Sequence, residues 1–199
     1  MQAPYLKRHP FIKDVSSVII FVVLVGFGTL LINSFVFRSF NVEGPSMEKT
    51  LYTGDRLIVD RLPVSWAHLR NQNYIPNRGE IIVFKNPKYE TGLGDEYIVK
   101  RVIAFPGERV VLNNGEYTVY NDEHPEGFNP DDANNGEPGS PTSGSVDMIV
   151  PRATVFVSGD HRQADFSYDS RNGLGTIPYY DIIGPVSLRL FPFNKIRHF

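Results

Sequence analysis

The 199-residue chain sets 20 Lys and Arg against 22 Asp and Glu, a net charge of -2 that gives nucleic acid no electrostatic foothold. It has no cysteine, which removes disulfides, thiolate metal sites and thiol nucleophiles together. The length suits one domain with a core, or a smaller domain plus an anchor, and the first forty residues favour the second.

Val15 to Phe37 is an uncharged apolar run that would reach roughly 34 Å as a helix, enough for a bilayer core. It shows neither the polar stripe of a buried core helix nor the small-residue ending of a cleaved signal. Lys7, Arg8 and Lys13 precede it and Arg38 alone follows closely. The positive-inside bias therefore expects residues 1–14 in the cytoplasm, 15–37 across the membrane and 38–199 outside the cytoplasm.

Beyond Arg38, short runs rich in Val, Ile, Phe and Tyr recur between turn signals: Asp55-Leu62, Glu80-Phe84, Tyr97-Ala104, Arg109-Leu112, Tyr117-Tyr120, Thr154-Ser158 and Ile182-Leu190. The expected fold is mainly β, an antiparallel sheet domain behind a single N-terminal transmembrane helix. Asn113-Asn114-Gly115 reads as a hairpin turn, since Asn and Gly tolerate positive φ. Val64-Asn71 reads as one short helix or an irregular loop. Residues 121–147 are dense in Gly, Pro, Asn and acidic residues and hold no Lys or Arg; they read as a mobile, solvated, loop-rich insertion. The closing segment Leu190-Phe199 mixes aromatics with Lys and Arg, a composition that suits the lipid interface and core packing equally.

Gly44-Pro45-Ser46-Met47 follows the membrane exit by a few residues, so Ser46 works close to the bilayer surface. Gly44 and Pro45 bend the backbone in a way that exposes the Ser46 hydroxyl and leaves its amide free for an oxyanion. A hydroxyl needs a base to take its proton, and lysine can serve. Lys100 sits in Tyr97-Ile98-Val99-Lys100-Arg101-Val102-Ile103, where strand alternation puts it on one face with Ile98 and Val102 and Arg101 on the other. A lysine that acts as a base near neutrality must be desolvated by about 4 kcal/mol, which burial on an apolar face supplies. The five histidines lie at no metal-ligand spacing, so neither metal nor cofactor is expected.

Taken together and in order, these motifs resemble the type I signal peptidases, the bacterial leader peptidase family. Gly44-Pro45-Ser46-Met47-Glu48-Lys49-Thr50-Leu51 is similar to that family's nucleophile box, and Gly54-Asp55-Arg56-Leu57-Ile58-Val59 follows it. Arg78-Gly79-Glu80-Ile81-Ile82-Val83-Phe84 resembles the next strand, and Tyr97 to Glu108 the catalytic-lysine box. Gly159-Asp160-His161-Arg162 with Ser167-Tyr168-Asp169-Ser170-Arg171 resembles the last box. The likeness runs over nearly the whole chain apart from the acidic insertion.

The resemblance implies a membrane-bound serine endopeptidase of the plasma membrane that removes signal peptides from exported preproteins, cutting after small residues at the first and third positions before the scissile bond. Ser46 would be the nucleophile and Lys100 its general base. Ser167 would orient the lysine amine, while Asp169 with Arg171 and Asp160 with Arg162 would brace the last box as charge pairs. Val42, Gly44, Met47, Leu51 and Val99 would line the shallow substrate site, with the peptide added as a strand beside Glu43 and Ile98. Its partners would be signal peptides and the lipid bilayer, with the protein working as a monomer or alongside the secretion machinery.

Four positions depart from the pattern. Lys49 stands where Pro is usual, which is expected to loosen the turn after Ser46. His161 replaces Asn, Gln163-Phe166 lengthen the approach to Ser167, and Gly44 supplies no hydroxyl to the oxyanion site. Another Ser-Lys protease, such as a self-cleaving repressor, would want a DNA-binding module in place of the anchor. The alternative from a different class is a catalytically impaired, membrane-tethered β domain that binds exported peptides without cutting them.

Overall fold

The computed structural model describes residues 10–90, 96–134, 136–139 and 141–199; Lys7 and Arg8 lie outside them. Helix α1 (Pro10–Leu31) starts at a proline, whose missing N–H costs nothing there, and runs into a π-helical turn at Ile32–Val36. The stretch Asp14–Val36 is long and apolar enough to cross a membrane, and none of it is buried against the rest of the protein. The helical part stops at Val36, and Phe37, expected to close the span, instead opens strand β1 (Phe37–Asn41).

The strands follow the alternation of apolar and polar residues. β2 (Arg56–Asp60), β3 (Ile81–Lys85), β4 (Tyr97–Ala104), β8 (Thr154–Ser158) and β10 (Ile182–Phe191) join β1 and the two-residue β9 (Ile177–Pro178) in one antiparallel sheet of order β1-β2-β10-β3-β4-β8-β9. The short β11 (Arg197–His198) adds to β10. Three irregularities in the register of β10 let one strand serve both halves of the sheet. β5 (Arg109–Asn113), β6 (Glu116–Tyr120) and β7 (Val146–Ile149) form a second sheet of order β6-β5-β7. Its β5–β6 turn carries Asn114 at φ +52° and Gly115 at φ +82°, the hairpin geometry expected of that dipeptide.

Three groups of apolar side chains fill the fold. One joins Ile82, Phe84, Ile98 and Val102 to Val155 and Val157, a second packs Val42, Met47 and Leu51 on Leu57, Val59, Ile81 and Val83, and a third lies under the smaller sheet. The stretch Val64-Asn71 resolves as helix α2 (Leu62–Leu69), with Pro63 in its first turn and the Leu62 N–H donating to Asp60 Oδ1 at 2.9 Å.

The acidic segment is loop-rich and largely exposed, as its composition suggests, but it is pinned to the sheets at a few points. Phe128 is bridged to Val119, a 3₁₀ turn forms at Pro130–Asn134, and Asp131 and Thr142 are buried. Composition does not reveal these points because the segment buries charge against an arginine of the last box rather than apolar area.

Candidate active site

Ser46 sits in a chain of tight turns between β1 and β2. Gly44 takes φ +82°, open to glycine at no steric cost, and the loop is tied down at both ends: Gly54 N–H donates to Val42 O at 3.0 Å, and Thr53 Oγ1 to Gly44 O at 3.2 Å. Met47 and Leu51 anchor it from beneath, both fully buried. Lys49 adopts φ +82°, which proline's ring forbids. The turn is therefore reshaped rather than loosened, and Met47 O closes it by accepting the N–H groups of Thr50 and Leu51.

Lys100 rises from β4, opposite Ile82 of β3. It is 3% exposed, and its Nζ donates to Ser46 Oγ at 2.7 Å and to Val99 O at 2.8 Å. Ser46 itself is partly open to solvent. Two residues 54 apart in sequence thus meet in hydrogen-bond contact at the end of a groove of about 140 Å³. Val42 and Val99 line that groove with Phe40, Leu57, Val83 and Tyr97. Met47 and Leu51, expected at the substrate surface, are fully buried in the core with Val42, Leu57 and Val83 and do not line the groove. Alternation along β1 to β4 places the extra lining residues on the groove face, a signal present in the sequence but meaningful only once the strand order is known.

The last box wraps the Ser46 loop. His161 N–H donates to Ser46 O at 3.0 Å, and its Nδ1 lies 3.1 Å from Pro45 O and 3.3 Å from the Glu48 carboxylate, with Phe166 stacked on the ring. Histidine here braces the Ser46 loop. The Asp169–Arg171 ion pair forms, with Nη2 to Oδ2 at 2.9 Å, and the same carboxylate accepts the Gly159 N–H at 2.9 Å. Burial pushes Asp169 upward, but the hydrogen bonds and charge of Arg171, with the Gly159 N–H, outweigh it and hold the carboxyl below its ordinary range.

Asp160 and Arg162 do not pair with each other. Their side chains leave the chain in different directions: Arg101 grips Asp160 through Nε at 2.8 Å and also donates to Gly79 O, whereas Arg162 donates to Asp131 at 2.7 Å and to Gly159 O at 2.8 Å. Arg101 and Asp131 are thus site-bracing residues the sequence did not mark. The KR doublet on a strand hints at the first, since alternation sends the two side chains to opposite faces; nothing local marks the second. Burial raises the pKa of Asp131 in spite of Arg162.

Ser167 is fully buried above Gly159. Its Oγ has no partner within hydrogen-bond geometry, so a bond to Lys100 is not made here, although the hydroxyl lies near enough to Asp169 to help lower its pKa. The longer Gln163-Phe166 approach is a bulge with Ala164 at φ +45°, held to the acidic segment by Ala164 N–H to Ser143 Oγ at 2.8 Å.

A family model described as "Signal peptidase, peptidase S26" matches residues 12–191. The chain is 31% identical over 196 residues to "Signal peptidase I P" of Bacillus subtilis subsp. natto, covering 96% of this chain and 95% of that protein. It is 33% identical over 198 residues to "Signal peptidase I" of Bacillus licheniformis, covering 96% and 94%. A crystal structure of a signal peptidase I from Enterococcus faecalis V583 superposes with TM-score 0.42 and 22% identity, over 56% of this chain and 96% of that one. The family match takes in the apolar helix, the Ser46 loop, β4 and the last box in a single run, and on that match the chain belongs to the signal peptidase family, peptidase S26.

Proposed function

We propose that the protein is a membrane-tethered serine endopeptidase that removes signal peptides from exported preproteins through a Ser46–Lys100 dyad. The observation that carries this reading is the 2.7 Å contact between the hydroxyl of the half-buried Ser46 and the amine of a lysine that is 3% exposed. Burial disfavours the ammonium form, and a neutral amine is a base. With the serine proton turned toward it, Lys100 takes that proton as Ser46 Oγ attacks the scissile carbonyl carbon. The tetrahedral oxyanion accepts the Ser46 N–H, which has no backbone acceptor among the described residues. Lys100 then returns the proton to the leaving amine, and a water it deprotonates releases the acyl group.

The groove supports a small-residue preference. Phe40, Leu57, Val83, Tyr97, Val42 and Val99 crowd about 140 Å³, room for Ala-sized side chains. The Tyr97–Val99 part of β4 is paired to β3 on one side, while β8 begins pairing only at Arg101. Its free edge, facing the Glu43 segment across the groove, is where an extended peptide adds as a strand. Asp14–Val36 is the tether, with the N-terminus cytoplasmic and the sheets outside. Asp169, Arg171, Asp160 and Arg162 hold the last box against the Ser46 loop, and Ser167 packs behind it on Gly159.

The test is cleavage of a preprotein by the detergent-solubilised chain, from about pH 6 to about pH 10. Cleavage after a small-x-small site, reduced by about 10³-fold or more in both Ser46→Ala and Lys100→Met, is the expected result. Substrate bound yet uncut by the unmutated protein at every pH would replace this reading with that of a peptide-binding domain.

A further inference from the structure

One concentration of exposed apolar surface has no part in the proposed chemistry. α2 presents Leu62, Trp66 and Leu69 at 49%, 56% and 75% exposure, spaced i, i+4 and i+7 and so on one helix face. The flank beside that face is fixed to the exit of α1, while Val64 is buried on the far side. Arg61 N–H donates to Val36 O at 2.8 Å, Ser65 Oγ donates to Phe35 O at 2.9 Å, and the Arg61 guanidinium donates to Ser34 O. A cleft of about 410 Å³ between α2 and this exit turn is lined by Phe35, Arg61, Leu62, Trp66 and Leu69. Phe35 is itself exposed, which makes the apolar strip continuous from the last turn of the candidate span onto α2. Arg70 covers the Trp66 ring at 4.7 Å, and α2 contains no acidic residue.

We propose that this face of α2 lies in the headgroup boundary of the bilayer that α1 crosses, with Leu62, Trp66 and Leu69 against the upper acyl chains and Arg70 toward the lipid phosphates. The inference rests on the membrane-spanning role proposed for Asp14–Val36. Three hydrogen bonds hold α2 at the level of Ser34 to Val36, where the span ends, and lipid is the medium that surrounds a spanning helix at that level. An amphipathic tryptophan, flanked by leucines and arginines, is the composition that partitions to this boundary.

Trp66 is the sole tryptophan, so its fluorescence reports this face alone. The full chain is reconstituted in phosphatidylcholine–phosphatidylglycerol vesicles whose acyl chains carry bromine either near the headgroup or near the methyl end. The expected result is blue-shifted emission, with a roughly twofold or greater loss to the shallow bromines and a smaller loss to the deep ones. Emission quenched by aqueous iodide but by neither lipid would overturn the proposal in favour of a water-exposed face. Blue-shifted emission quenched by neither iodide nor bromine would overturn it in favour of a protein cover, whether a second copy or another partner. A Phe27→Trp reporter in a Trp66→Phe background separates the two readings. If it is quenched by deep bromines while Trp66 is untouched, the span stands and this proposal falls; if it too is untouched, the span itself falls, and this proposal with it.

Discussion

Gly159 packs directly against the Ser46 loop. A Cβ added there would stand 2.1 Å from Ser167 Oγ and 2.3 Å from Ser46 O, and Ser46 O is backbone that cannot swing aside. Gly159→Ala is therefore expected to push the Ser46 loop out of line with Lys100 and lower kcat by about 10²-fold, since small misplacements of reacting groups cost that much. Gly44→Ala makes the contrast: its Cβ meets open space, and the cost is confined to the positive φ, about 1 kcal/mol. Urea midpoints and kcat measured on both variants check the pair. At this scale the sequence was informative about types and silent about meetings. Ser46 and Lys100 were recognisable from their boxes, but Asp131 under Arg162 was not, because a salt bridge between residues 31 apart leaves no local trace.

Elements were legible where a strand is a run of buried apolar residues and hidden where it lies exposed. Tyr97–Ala104 and Thr154–Ser158 could be read to the residue, each crossing the core with apolar side chains on at least one face. β1 was obscured because Phe37 and Phe40 prolong the apolar run of the span, and β7 because only alternate residues of Val146–Ile149 are partly sheltered, inside an acidic context. The acidic segment shows why composition is a weak guide to order. Its Asp131 meets Arg162, which is 0% exposed, so Asp131→Asn leaves a buried guanidinium without its charge partner. A loss of about 3 kcal/mol in unfolding free energy is expected, by analogy with other buried pairs broken on one side. Because Arg162 also holds Gly159 O, catalytic activity should fall with it; denaturant unfolding and cleavage assays on the same preparation would show both.

Across the whole molecule, Glu108 links the two sheets. Its carboxylate accepts from Arg78 at 2.7 Å, from Asn121 Nδ2 at 2.9 Å and from the Phe105 N–H at 2.8 Å, joining the loop before β3 to the end of β6. Burial pushes its pKa up, yet these three donors and the Arg78 charge outweigh burial and set it below the ordinary 4.5. A carboxyl depressed by folding contributes stability that is complete above its unfolded pKa and is lost as pH falls through the folded one. Urea midpoints should therefore decline as the solution is acidified below 4.5, with Asp169, also depressed, joining below its ordinary 3.8. Glu108→Gln should flatten the upper part of that decline.

The passage from α1 to the sheet has no slack in it: Val36 ends the helical turn and Phe37 is already paired to Asp60. Arg61 also binds the carbonyl groups of Ser34 and Val36, so side chain and backbone both join the helix exit to the sheet. In the spanning arrangement proposed above, a thinner or thicker membrane changes the tilt of α1, and the sheet must lean with it. The height of Ser46 over the lipid is then set by the thickness of the host membrane, which acts as a ruler choosing which bond of a tethered chain comes within reach.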